Sequence, residues 1–343
     1  MDSPTGRRSS QCAPSASAAG PSAPILAAAA EGNPQASGLV RSPRVGLALG
    51  SGSARGWSHI GVIRVLECAG VSPDIVCGTS IGALVGAAYA AGEVDRLEAW
   101  VRTLTRQAVV GFLDVRFGGG LIAGAKLFDY IRARFTDPGI TRLGKIYGAV
   151  ATELATGREV WLRDGPVLEA VRASIAIPGL FTPAQQGGRL LVDGGLVNPV
   201  PVSLCRALGA DKVIAVALNG DELERCPREA PRSDEASTRV AALVSRLRTE
   251  RRPKARKPEV PSPSMLDVLT TSLDIMQVSI SRSRLAGEPP DVVIRPRLSD
   301  FALMDFHRAE EAIAEGQRAA EQALPEITDL LELRGLDGST ADR

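Results

Sequence analysis

From Val45 onward the chain alternates short apolar runs with helically spaced ones. Val45-Gly-Leu-Ala-Leu49 is continuous and apolar and ends in a glycine cluster, which predicts a buried parallel strand feeding a loop. Ser58 to Ala69 then places Ile60, Ile63, Leu66 and Ala69 at helical spacing, with Gly70 as a C-terminal stop. A second unit follows: Asp74-Ile-Val-Cys77 as a strand, a tight turn from Gly78 to Gly82, and an alanine-rich helix to about Ala91. This β-α-β-α order predicts an α/β fold with a mainly parallel sheet.

Farther on, the pattern predicts a helix around Asp95 to Gln107. A hairpin follows, with Ala149 to Leu154 and Glu159 to Leu162 flanking Thr156-Gly157. Gly165 to Ile175 reads as a helix, Leu190 to Val192 as a strand ending at Asp193-Gly-Gly195, Val200 to Leu208 as a helix and Lys212 to Leu218 as a buried strand. A helical pattern at Leu266 to Ile280, a strand at Asp291 to Ile294 and an amphipathic helix at about Asp305 to Ala323 complete the reading. No fixed-period repeat interrupts it, which excludes a solenoid or propeller.

Composition sets the outer boundaries. Residues 1–43 are rich in Ala, Ser and Pro and read as a disordered leader. Arg7, Arg8 and the short Pro24 to Ala30 run resemble a signal peptide only superficially, because prolines and serines break the apolar part. Residues 44–220 form the expected catalytic core. Residues 221–264 read as a flexible insertion, with seven basic residues and only Glu250 acidic between Arg246 and Lys257. Residues 265–325 are expected to pack back on the core, and 326–343 form a tail.

The 343 residues carry a net charge of +1, so no overall field draws the protein to nucleic acid. Five cysteines without a CxxC pair suggest reduced thiols in the cytoplasm, and neither metal nor cofactor is expected. The longest apolar stretch, Ile81 to Gly92, is well short of the roughly 20 residues that span a bilayer.

The sharpest chemical signal is Gly78-Thr79-Ser80-Ile81-Gly82, a G-x-S-x-G between a strand and a helix. A serine turned sharply out of such a junction needs neighbours without Cβ atoms, and the helix N-terminus supplies partial positive charge beside its oxygen. A serine that merely caps the helix is the alternative. Upstream, Gly50, Ser51, Gly52, Ser53, Ala54, Arg55 and Gly56 form a second strand-to-helix loop whose amides can converge on an oxyanion, with Gly52, Ser53 and Arg55 the best-placed donors. Such a donor contributes about 3 to 4 kcal/mol to acyl transfer. Arg55 could also orient the loop or attract a phosphate. A dinucleotide fingerprint is disfavoured because Arg55 stands near the place of the third glycine, and a P-loop is excluded by the missing Gly-Lys-Ser/Thr ending.

Candidate bases are few, since the only histidines are His59 and His307. Asp193, at the end of an apolar strand and followed by Gly194 and Gly195, occupies the kind of sheet edge where α/β active sites form, although Asp-Gly-Gly can also be a simple turn. Ser80, Asp193 and His307 in that order would make a triad of α/β-hydrolase type. His59, on the first helix, reads as a structural hydrogen-bonding residue.

Together and in this order, the glycine loop, Gly78-Thr-Ser80-Ile-Gly82 and Asp193-Gly-Gly195 resemble the patatin-like phospholipases over roughly Val45 to Ala207. The run from Gly50 through Ala54-Arg-Gly-Trp-Ser-His59-Ile-Gly-Val62 is most similar to the bacterial branch related to neuropathy target esterase, and Asn198-Pro199 fits the same pattern. The resemblance implies a three-layer α/β/α fold and a Ser80–Asp193 dyad without a catalytic histidine. It also implies a lipid ester as substrate, phospholipid or lysophospholipid. Ser51 and Ser53 depart from the glycines many members carry. The basic insertion could bring the protein into peripheral contact with the inner membrane. A non-catalytic lipid-binding module on the same fold is the alternative function, and the oligomeric state is left open.

Overall fold

The computed structural model describes residues 42–112, 125–135, 137–218 and 265–337. All but the last two residues of the expected leader, and the whole of the expected insertion 221–264, lie outside them. The sheet is built on β1 (Val45–Leu49), β2 (Ile75–Thr79), β3 (Ile146–Glu153), β7 (Lys212–Val216) and β8 (Val292–Ile294), which pair parallel with one another. To these are added β4 (Glu159–Leu162), β5 (Ala184–Gln186) and β6 (Arg189–Asp193), which pair antiparallel at one side. The strand order is β5-β6-β3-β2-β1-β7-β8, with β4 also on β3.

The apolar run of β1 is continuous because both faces of the sheet are covered, and all five of its residues are buried. One face packs α1 (Ser58–Cys68), α2 (Ile81–Ala90), α3 (Val94–Val101), α6 (Val167–Ser174) and the long α9 (Ala309–Asp337) around Leu47, Leu49 and Val76. The other packs α7 (Val202–Ala207) and Leu285 of α8 (Met265–Gly287) around Ala48, Cys77 and Ala215. The fold is therefore three-layer α/β/α with a mainly parallel sheet. α1 and α9 cross so closely that a Cβ on Gly61 would stand 2.0 Å from the Ile313 carbonyl oxygen, and one on Gly316 would stand 2.0 Å from that of Ser58. Only glycine at both positions permits this contact.

Four elements differ from the sequence pattern. The helix expected over Asp95 to Gln107 is broken into α3 and α4 (Arg106–Gly111), because Thr105 adopts an extended conformation and its hydroxyl accepts from the Ala108 amide as an N-cap. α5 (Ala125–Arg134) and β5 have no counterpart in the reading above. The last helix runs on to Asp337 with Pro325 inside it, where the amphipathic pattern predicted an end near Ala323.

Candidate active site

All the chemistry-bearing segments emerge at the carboxyl ends of β1, β2 and β6. β3 brings two of them together: Thr79 of β2 pairs with Val150, and Asp193 of β6 pairs with the next residue, Ala151. Ser80, one residue beyond Thr79, thereby meets Asp193 across 113 residues of chain, and its Oγ donates a 2.6 Å hydrogen bond to Asp193 Oδ2.

Ser80 does not cap α2. It stands at the N-cap position but its side chain makes no capping bond, and its backbone takes φ 56° and ψ −124°, a conformation that costs a non-glycine residue of order 1–3 kcal/mol. Its surroundings enforce that turn. A Cβ at Gly82 would stand 2.2 Å from the Leu49 carbonyl oxygen, and one at Gly78 2.3 Å from that of Gly82, so β1, β2 and α2 approach at van der Waals limits. The Ser80 amide donates to Ser174 Oγ at 2.9 Å, and that hydroxyl donates to the Val150 carbonyl at 2.6 Å. Thr79 Oγ1 donates to the Asn198 carbonyl at 2.8 Å, which holds the chain after β6 beside the elbow.

Ser174 has no motif to announce it; it ends α6, fully buried. Replacing Ser174 with Ala strips the buried Ser80 amide of its acceptor and is expected to lower unfolding stability by about 1–3 kcal/mol in urea titrations. An unchanged midpoint would mean the amide finds another partner.

Asp193 is 1% exposed. Its Oδ1 accepts from the Gly195 amide at 2.7 Å, and Thr152 Oγ1 donates to its carbonyl at 2.8 Å. Burial raises its pKa from 3.8 to about 6, against the lowering effect of the bonds from Ser80 and Gly195. Neither histidine is bonded to Ser80 or Asp193. His59 is fully buried and its Nε2 lies 2.8 Å from the Gly50 carbonyl. That oxygen can only accept, so Nε2 carries the proton, and burial lowers the imidazole pKa from 6.5 to about 4. His59 is thus a neutral strut under the glycine loop. His307 lies in a short 3-10 turn, with Arg106 Nε donating to its Nε2 at 3.0 Å.

Most of the amides of the loop already have partners within the fold. The Gly50 amide donates to the Val216 carbonyl (3.0 Å) and that of Ser51 to Pro199 (2.8 Å). The Ala54 amide donates to Leu303 (3.3 Å) and that of Arg55 to Gly52 (3.1 Å). Those four amides, expected among the oxyanion donors, are already engaged in holding the loop, and Gly56 lies inside the 3-10 turn Ser53–Trp57. Gly52 and Ser53 border a cavity with Ser80 at their edge. Arg55 is turned inward rather than toward a phosphate: it is 1% exposed, its Nε donates to the Gly52 carbonyl, and its Nη2 lies 3.2 Å from Asp274 Oδ1.

Two cavities meet at Ser80. One, about 90 Å³, is lined by Trp57, Leu84, Trp100, Phe112, Ile177 and Phe181 among others. Edge-on contacts of Trp57 with Trp100 (6.4 Å) and Phe306 (5.8 Å) stiffen its wall. The other, about 10 Å³ and barely enough for one water, lies between Gly52, Ser53 and the α8 side chains Leu273, Asp274 and Gln277. Gln277 accepts from Ser51 Oγ at 2.8 Å. The helical spacing of α8 was legible in the sequence, but nothing there tied Asp274 and Gln277 to a loop more than 200 residues away.

The patatin-like phospholipase family model matches residues 47–206. An NTE family protein of Mycobacterium tuberculosis is 36% identical over 330 residues, covering 82% of this chain and 92% of the relative. The chain belongs to the patatin-like phospholipase family, in its NTE branch. Patatin-like phospholipase domain-containing protein 6 of Homo sapiens is 34% identical over 186 residues, 52% of this chain but 14% of that larger protein. A lysophospholipase of Yarrowia lipolytica is 28% identical over 301 residues, 85% of this chain and 20% of the relative. Among solved structures, VipD of Legionella pneumophila aligns over 84% of this chain and 77% of its own at 12% identity, with a TM-score of 0.35. The patatin match spans the glycine loop, Ser80 and Asp193 but stops before α8. Among the described residues no helix is long and apolar enough to cross a membrane, and no cluster of ligating side chains could hold a metal.

Proposed function

We propose that this lipid hydrolase is a serine esterase that cleaves the acyl ester of a phospholipid or lysophospholipid through a Ser80–Asp193 dyad. The observation that carries the reading is the buried 2.6 Å bond from Ser80 Oγ to Asp193 Oδ2, set between an apolar cavity and the glycine loop. Family membership and the lysophospholipase among its relatives support the substrate class.

The chemistry follows from the geometry. Asp193 Oδ2 takes the hydroxyl proton as Oγ attacks the ester carbonyl, and the amides of Gly52 and Ser53 receive the oxyanion. Asp193 returns the proton to the departing alcohol, leaving an acyl group on Ser80. It then deprotonates the water that attacks the acyl carbonyl, and collapse of that intermediate frees the acid and restores the Ser80 hydroxyl. The cavity lined by Trp57, Leu84 and Phe181 accommodates the acyl chain. Burial makes Asp193 a stronger base than an exposed carboxylate, which suits it to a role usually given to histidine.

Labelling by a fluorophosphonate, mapped to Ser80 by peptide mass spectrometry, tests the nucleophile. The base is tested by pH and by His307→Ala. With p-nitrophenyl butyrate, kcat/KM is expected to rise through an apparent pKa near 6 to a plateau, as Asp193 loses its proton. His307→Ala is expected to keep both the rate, within about three-fold, and the profile. Loss of activity in that variant would favour a triad over the dyad.

A further inference from the structure

Among the described residues nine large apolar side chains stand exposed, and four of them lie on one stretch of α8: Val268, Leu269, Ile275 and Met276, each between 45% and 57% exposed. At 100° per residue they share an arc of about 120°. The opposite side of the helix carries Asp274, Gln277 and Ser281, with Gln277 and Ser281 buried against the protein. α8 therefore carries apolar side chains on two sides: Val278 is buried and Leu285 packs on the core, while Val268, Leu269, Ile275 and Met276 face outward together with the exposed Ser272 and Ser279. Such an arrangement is favourable where the outer side meets an apolar medium.

Its position gives the medium an identity. The inner side chains Leu273, Asp274 and Gln277 form a wall of the small cavity at Ser80, so the exposed arc is the back of that wall. The carboxyl half of the helix is fastened to the core: Arg284 pairs with Glu159 and its Nε donates to the Val197 carbonyl at 3.1 Å. The apolar arc lies on the half before that anchor. In the sequence, a run with seven basic residues and one acidic residue, Arg246 to Lys257, precedes α8 by only a few residues, a charge complementary to anionic phospholipid headgroups.

We propose that this outward face of α8 is the protein's contact with a phospholipid bilayer, seating the rim of the Ser80 site on the membrane that supplies the ester. The inference rests on the lipid-ester reading above. A few apolar side chains inserted at headgroup depth give reversible attachment, strengthened by nearby positive charge.

The full chain and its I275D/M276D variant are to be sedimented with phosphatidylcholine/phosphatidylglycerol vesicles and assayed in parallel on monomeric p-nitrophenyl butyrate. The wild type is expected to sediment with the vesicles, and the variant to partition about ten-fold less or weaker, with unchanged hydrolysis of the monomeric ester. V268N/L269N, on the same arc, is expected to repeat the loss, which guards against a misfolded first variant. Three results overturn the proposal: equal sedimentation of wild type and both variants, no sedimentation of the wild type, or vesicle binding unaffected while gel filtration shows a wild-type dimer that the variants split. In the last case the face joins two copies of the chain. Vesicle binding that is sensitive to the variants without hydrolysis of any ester upholds the docking surface and removes the esterase reading instead.

Discussion

Replacing Ser80 with alanine is expected to reduce ester hydrolysis by at least about 10⁴-fold in a p-nitrophenyl ester assay. The size of the effect comes from the role: without Oγ no acyl-enzyme forms, and the remaining groups can only bind the ester and polarise its carbonyl. The fold should survive. The hydroxyl makes no capping bond to α2, and the strained φ of 56° is held by the Ser80 amide's bond to Ser174 and by the close approach of Gly78 and Gly82, all of which remain. Circular dichroism of the variant should match the wild type while fluorophosphonate labelling disappears. Substantial residual turnover with a native spectrum would place the nucleophile elsewhere.

Asp193→Asn is expected to lower kcat/KM by about 10²- to 10⁴-fold, the range of a general base, and also to change how stability depends on pH. The wild-type carboxyl has its pKa raised from 3.8 to about 6 by burial. An acid whose folded pKa lies above its unfolded value binds its proton more tightly in the folded state. It therefore adds stability that is fully present below about pH 4 and lost as pH rises through about 6. The displacement corresponds to roughly 3 kcal/mol across that window. Asparagine has no proton to lose, so the stability of the variant relative to the wild type should climb between pH 4 and pH 7. The comparison also cancels the opposite trend from His59, whose lowered pKa costs stability as pH falls below its unfolded value of about 6.5. Urea melts at both ends of the range measure the difference. A constant difference between the two proteins would mean that Asp193 is ionised throughout.

The sequence alone marks both residues as candidates, for different reasons. Ser80 stood out because glycine on both sides of a strand-to-helix serine is a local requirement, written into five consecutive positions. Asp193 was weaker, since Asp-Gly-Gly is also an ordinary turn, and it gained weight only from its order relative to the other motifs. The seven-residue glycine loop was legible as a loop but not as a set of donors. Which amides are engaged depends on Val216, Pro199 and Leu303, residues far away in sequence that the fold brings against it. Ser174 and Gln277 were invisible for the same reason: a serine ending one helix and a glutamine inside another follow no pattern until the sheet and α8 set them beside Ser80 and Ser51.

What the amino-acid sequence determined by itself was local: buried strands, helices with their stops, the elbow and the glycine loop. Each of these rests on side-chain periodicity or on the absence of a Cβ within a few residues. What only the tertiary structure decided was juxtaposition. Ser80 meets Asp193 because β2 and β6 pair with successive residues of β3, and the proton affinity of Asp193 is set by burial beneath groups that its own segment does not contain. Desolvation and hydrogen-bond geometry depend on what surrounds a group in space, and in this fold those neighbours include residues 41, 94 and 113 positions away.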